Sequence, residues 1–184
     1  MSVEEAFSRF IFDGALGSWV SWYLTAAALR ESADVLYASL PPDTLAPLPP
    51  DNGWVRASVD TGRRNVYVLL VALAFENLLK GEIVRRDPQA VSGGRIGEAL
   101  KTRPNHDLLK LAQSAKFAIL PEEEQALSDA IDARRSWGAY PAGTTHKGNM
   151  GPPPGFDLVA FKRVFDDLCE RLEASLTQGV GAHG

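Results

Sequence analysis

Several polar side chains in this sequence stand where helical spacing would put apolar ones. Glu76 follows directly on an apolar run and shares the stripe of Leu69, Ala72 and Leu73, with Lys80 one turn further on. The structural reading is an i,i+4 ion pair at the edge of the core, the lysine stem snorkelling to water. The functional reading is a charge held in a cleft beside a ligand or partner. His106-Asp107 opens a predicted helix. Aspartate is favoured in a first turn by the helix dipole whatever the function, and the histidine is either a capping or packing residue or a proton carrier. Arg134 falls on the inward stripe of Leu127, Ala130 and Ile131, and its neighbour Arg135 lies closer to the outside. An inward arginine requires a counter-charge, for which Glu76 and Asp107 are candidates. Trp137 and Tyr140 flank the same helix end, so an anion pocket with stacking walls and a buried salt bridge both fit. His146, in Thr144-Thr145-His146-Lys147, lies in a loop, where binding and catalytic residues concentrate.

Other chemistries lack their residues. The single cysteine, Cys169, excludes an internal disulfide and falls near the apolar face of the last predicted helix, as a packing residue would. No Cys-x-x-Cys or His/Cys cluster suggests a metal, and no phosphate-binding loop, nucleophile elbow or dinucleotide fingerprint is present. Neither cofactor nor metal is expected.

The elements that must position these residues are helical. Apolar residues make up 45% and charged residues 23% of the 184, which fits one folded domain with a proper core and excludes disorder throughout. Ser2-x-x-Glu5 reads as a capping box before a first helix that Gly14 and Gly17 weaken. A second helix runs over residues 18–40, with Leu16, Trp19, Tyr23, Ala26 and Ala27 on one face, until Pro41-Pro42 stops it. Residues 41–54 hold five prolines and read as a surface connection. The strongest helix covers residues 58–86, and its stretch 66–75 is apolar all round, the mark of a central helix. Residues 88–105 read as a linker with one short turn near 96–100. A helix beginning near Asn105 carries Leu108, Leu111, Ala112 and Ala115 inward. Leu120-Pro121-Glu122-Glu123-Glu124 begins the next, which runs to about residue 137. After a loop over 138–156, Asp157 caps a last helix with Leu158, Phe161, Phe165, Leu168 and Leu172 at helical spacing. No strand-like alternation of useful length occurs. The expected architecture is all-α: a single domain over residues 1–178, a bundle of about five to six helices, largely up-and-down, with a frayed tail over 179–184.

Charge and apolar runs bound the partners. The net charge is −4, against a uniformly basic surface. The distribution is uneven: residues 51–120 hold 11 basic and 7 acidic side chains, residues 1–50 hold 2 and 6, and residues 121–184 hold 6 and 10. A local anion or RNA patch in the middle segment, including Arg63-Arg64 and Arg85-Arg86, and ordinary solvated helix ends both fit. The longest apolar run, about ten residues at 66–75, falls short of the roughly 20 that span a bilayer. With an acidic start unlike a signal peptide, the expectation is a cytoplasmic protein with no membrane partner.

Phe75-Glu76-Asn77-Leu78-Leu79-Lys80-Gly81, His106-Asp107-Leu108-Leu109-Lys110-Leu111-Ala112, Leu120-Pro121-Glu122-Glu123-Glu124 and Trp137-Gly138-Ala139-Tyr140-Pro141 occur in this order. Over residues 66–141 the succession resembles bacterial proteins of the HEPN-like (higher eukaryotes and prokaryotes nucleotide-binding) helical family. The resemblance implies a largely up-and-down bundle, often a homodimer. Many relatives are metal-independent RNases of toxin–antitoxin or phage-defence systems, using an arginine, four to six intervening residues and a histidine near the start of a late helix. Here ten residues separate Arg135 from His146, and only two separate Arg103 from His106.

The expected function is therefore a non-catalytic HEPN-like module that binds a protein partner or an anionic or RNA ligand, in a bacterial defence or toxin–antitoxin setting. Its ligand cleft would draw on Glu76, Lys80, His106, Asp107, Arg134, Arg135, Tyr140 and His146. The partner would be a second copy, a neighbouring-gene product, RNA or a nucleotide. The alternative is a metal-independent RNase with a displaced histidine.

Overall fold

In the computed structural model, residues 3–46, 59–93, 95–101, 107–135, 152–153 and 155–178 are described. His106, Tyr140 and His146 lie outside them, as do Ser2, Trp137, most of the 138–156 loop and the tail.

The apolar run of the central sequence becomes the axis of the molecule. Helix α4 (Val59–Arg86) buries Tyr67, Val68, Ala72, Phe75, Leu78 and Leu79 and touches α2 (Trp19–Ala38), α5 (Leu108–Ser114), α6 (Glu124–Arg135) and α7 (Leu158–Gln178) in turn. Because its apolar residues fall on every side, packing it from several directions is the way to remove them from water.

Helix α2 (Trp19–Ala38) lies antiparallel along α4. Tyr37, near the end of α2, meets Tyr67 at 5.1 Å between ring centroids, whereas Trp22, near its start, sits under Lys80 at 5.3 Å. The approach is close because Ala26 and Ala33 are small and Gly81 has no side chain: a Cβ there would stand 3.3 Å from Trp22 Cβ. Helix α1 (Val3–Leu16) ends at Gly17, whose N–H bonds back to the Asp13 carbonyl at 2.8 Å. A Cβ at Gly17 would lie 2.4 Å from that carbonyl oxygen, so the turn requires glycine. Trp22 Nε1 then donates to the Leu16 carbonyl at 2.8 Å, joining α1 to α2.

Asp157 caps α7 (Leu158–Gln178) by accepting from the Ala160 N–H at 2.9 Å. Helix α7 runs parallel to α4, since Phe165 meets Phe75 edge-on at 5.7 Å and Ser175 reaches Glu82 further along both helices. Leu158, Phe161, Phe165, Leu168 and Leu172 are all buried, as their spacing predicts. Cys169 is buried with them, and burial pushes its thiol up to about 12, so it packs and does not act as a thiolate. Across α2 and α7, Arg30 pairs with Glu173 at 2.7 Å and Lys162 with Asp34 at 3.3 Å.

Helix α6 (Glu124–Arg135) returns antiparallel: Glu123, just before it, meets Arg171 of α7, and Arg134, at its end, meets Glu76 of α4. Helices α2, α4, α6 and α7 thus alternate in direction, giving the all-α, up-and-down arrangement.

The structure differs from the sequence expectation in its small elements. Seven helices occur among the described residues. One is a single turn, α3 (Pro42–Leu45), inside the proline-rich segment that reads as an extended connection. Proline at the first helical position forfeits no hydrogen bond, so Pro42 starts this turn. The 88–105 segment carries two 3₁₀ turns, Pro88–Ala90 and Glu98–Leu100. It also carries a small antiparallel ribbon of β1 (Val91–Ser92) and β2 (Arg95–Ile96). Two-residue strands are too short to show alternation. Helix α5 (Leu108–Ser114) is capped by Asp107 itself, which accepts from the Lys110 N–H at 2.9 Å. No described helix is long and apolar enough to cross a membrane.

Candidate functional site

The structure brings three of the sequence-selected residues together. Glu76 is 4% exposed, at the α4–α6 contact. Its carboxylate accepts from Lys80 Nζ at 2.6 Å on one oxygen and from the Arg134 guanidinium on the other. Burial lowers the Arg134 pKa and the Glu76 charge opposes that. A guanidinium stays charged under such a shift. Lys80 also lies over the Trp22 ring, so one carboxylate links α4 to α6 directly and to α2 through its lysine. Arg135 is exposed at the end of α6, and Asp107 is occupied as the α5 cap. Neither described cleft is lined by Glu76, Lys80 or Arg134. Among the described residues, no group of three or more His, Cys, Asp and Glu side chains is placed to hold a metal ion.

A different set of charges faces open space. Between the end of α4, the α5–α6 connection and the last turns of α7 lies a cleft of about 270 Å³. Arg86, Lys116 and Arg171 line it together with Glu82, Phe117 and Ser175. Glu82, 1% exposed at its floor, accepts from Arg85 Nε at 2.8 Å, from Arg85 Nη2 at 2.9 Å and from Arg86 Nε at 2.5 Å. Burial alone would raise the Glu82 pKa, but the hydrogen bonds and charges of Arg85 and Arg86 outweigh it and hold the carboxyl below its ordinary value. Ser175 Oγ stands 3.4 Å from the same carboxylate. Arg171 Nη2 donates to Glu123 at 2.9 Å, and its guanidinium stacks over Phe117 at 5.1 Å.

These internal pairs orient the arginines without saturating them. Arg86 bonds through Nε alone and Arg171 through Nη2 alone, so the Nη groups of the first and Nη1 of the second have no partner among the described residues. Lys116 has no ion-pair partner there either. Among the residues lining it, Glu82 is outnumbered by Arg86, Lys116 and Arg171, so the cleft is net positive. Unpaired donors converging on a concavity can bind an anion.

Sequence reasoning located only part of this set. Arg85-Arg86 and Lys116 both belong to the basic middle segment, but Lys116 and Arg171 sit at no recognisable spacing from Arg86. Their meeting depends on how α5 and α7 pack on α4. The excess of basic residues over 51–120 was the available signal.

A second cleft, of about 480 Å³, lies between α6 and the start of α7, with Phe156 and Phe161 on its wall and Glu122, Asp129 and Asp157 at its rim. Burial raises the Asp129 pKa, the hydrogen bond from Gln125 opposes this, and the charge of Asp132 adds to the rise.

Comparison of the chain with protein-family models, with curated proteins and with solved structures finds no match.

Proposed function

We propose that this chain is a HEPN-like, non-catalytic binding module that takes an anionic ligand in the cleft between α4, α5 and α7. The observation behind this reading is the convergence of Arg86, Lys116 and Arg171, with unpaired donors, on one net-positive concavity. The succession of motifs over residues 66–141 supports the HEPN-like part, and with it RNA or a nucleotide as ligand in a bacterial defence or toxin–antitoxin setting. For the RNase alternative, which would set Arg134 or Arg135 against the phosphate, Arg134 is committed to Glu76 and Arg135 is left as the arginine to act.

Titration of a labelled RNA oligomer, followed by fluorescence anisotropy, tests this function. Binding should weaken as salt is raised, because Lys and Arg contacts to phosphate release counterions. The Arg86→Gln/Lys116→Gln pair should lose most of it while keeping its helical circular dichroism. Absence of RNA and nucleotide binding by the wild type would sink the proposal, and RNA cleavage in EDTA would replace it with the RNase reading.

A protein partner, whether a second copy or a neighbouring-gene product, has its own support. Phe7, Phe10 and Ile11 lie at helical spacing on α1 and are 64%, 73% and 52% exposed. Apolar stripes of this kind mark interaction surfaces.

A further inference from the structure

If the α4–α5–α7 cleft takes an anion, as proposed above, its shape and charge narrow what that anion is. At about 270 Å³ the cleft stands at the small end of the roughly 300–1,000 Å³ of pockets that enclose a whole small molecule. Its cations come from three separate segments and converge, instead of repeating along a strip. A track for single-stranded nucleic acid combines repeated cations with aromatic faces open for stacking. Phe117 is the aromatic residue in this lining, and the Arg171 guanidinium already covers its ring at 5.1 Å. A converging set suits one compact, highly charged group at the end of a molecule.

The backbone at Lys116 carries the point further. Helix α5 ends with the Lys116 N–H bonded to the Gln113 carbonyl at 3.0 Å and the Phe117 N–H bonded to the Ala112 carbonyl at 2.9 Å. This is the Schellman ending, in which the residue at the Lys116 place is usually glycine because its φ is positive. Here φ is 53°, and Lys116 is the only non-glycine residue with positive φ among those described. A lysine holds that conformation at a cost glycine would not incur. Its side chain is exposed, lines the cleft and has no partner among the described residues. A long cation kept where the backbone favours no side chain at all is placed to meet something from outside the chain.

We infer that the cleft is a phosphomonoester pocket, in which a terminal phosphate enters head-on and Lys116, with the guanidinium nitrogens of Arg86 and Arg171 that Glu82 and Glu123 leave open, takes its oxygens. A monoester offers three oxygens and close to two negative charges at neutral pH. A mid-chain diester offers two free oxygens and one charge. The source of the monoester is a free nucleotide or the 5′ end of an RNA.

Three probes separate the outcomes: a short RNA with a 5′-phosphate, its 5′-hydroxyl twin, and AMP, each titrated at constant ionic strength. The phosphorylated RNA should bind about tenfold tighter than its twin, the scale of a lost charge-assisted contact. AMP binding as tightly as that RNA assigns the pocket to a free nucleotide, and weaker AMP binding assigns it to an RNA end. Equal binding of the two RNAs overturns the monoester pocket while leaving the anion reading standing; no binding of any probe overturns both. Lys116→Gly should raise the thermal midpoint, by releasing the left-handed lysine, and abolish most of the preference for 5′-phosphate, whereas Lys116→Arg should retain that preference. A Lys116→Gly protein with an unchanged preference, or with a lowered midpoint, overturns the role given to Lys116.

Discussion

The Arg134 guanidinium donates a hydrogen bond to the Glu76 carboxylate from 58 residues further along the chain, holding α6 against α4. Lys80 Nζ occupies the other carboxylate oxygen at 2.6 Å and carries the link on to Trp22 of α2.

Removing one member of such a buried set leaves an uncompensated charge. Glu76→Ala should therefore destabilise the protein by about 3 kcal/mol or more. Replacing Glu76 and Arg134 with leucine should recover much of that loss, because apolar side chains of similar volume leave only Lys80, whose stem lets it reach water, without its partner. Urea unfolding of the two variants measures the difference. Equal losses in the single and double variants would show that the ion pair is not the source of the effect.

Gly81 sets the spacing of α2 against α4. A Cβ there meets Trp22 Cβ at 3.3 Å and the Trp19 carbonyl oxygen at 3.4 Å, and neither atom can swing aside. Gly81→Leu should cost about 1–3 kcal/mol by overpacking, despite leucine's better helix propensity. A midpoint of unfolding equal to or above that of the wild type would mean that α2 moves away freely.

Asp129 contributes a pH dependence of known sign. Its pKa is raised in the folded protein by burial and by Asp132, so folding favours the protonated form. Its favourable contribution is present below the ordinary aspartate value, near 3.9, and disappears as pH rises through the raised value. Asp129→Asn should therefore raise the thermal midpoint by about 2 °C at pH 7. The gain should shrink toward pH 3, where the native aspartate is already protonated. A gain of the same size at both pH values would remove charge as the cause.

Much of the fold follows from local pattern. Apolar spacing places Leu108, Leu111, Ala112, Leu127, Ala130, Ile131, Phe161, Phe165 and Leu168 inward, and all are buried. Pro41, Gly17 and the Asp157 cap delimit helices through backbone chemistry that acts within a few residues. The pairing of Glu76 with Arg134 was half legible: an inward arginine announces a partner, but two carboxylates were open to it, and the docking of α6 on α4 selected one. Single-turn and two-residue elements such as α3 and the β1–β2 ribbon carry too few residues for any period to show.

The amino-acid sequence by itself determined the helices, their inward faces and the inward placement of Glu76 and Arg134, because helical periodicity and capping are properties of neighbouring residues. Only the tertiary structure decided that Arg86, Lys116 and Arg171 share one cleft and that Glu82 lies beneath them. Those residues sit on segments far apart in the chain, and their proximity comes from packing α5 and α7 around α4 to bury apolar faces to which the charges themselves contribute nothing.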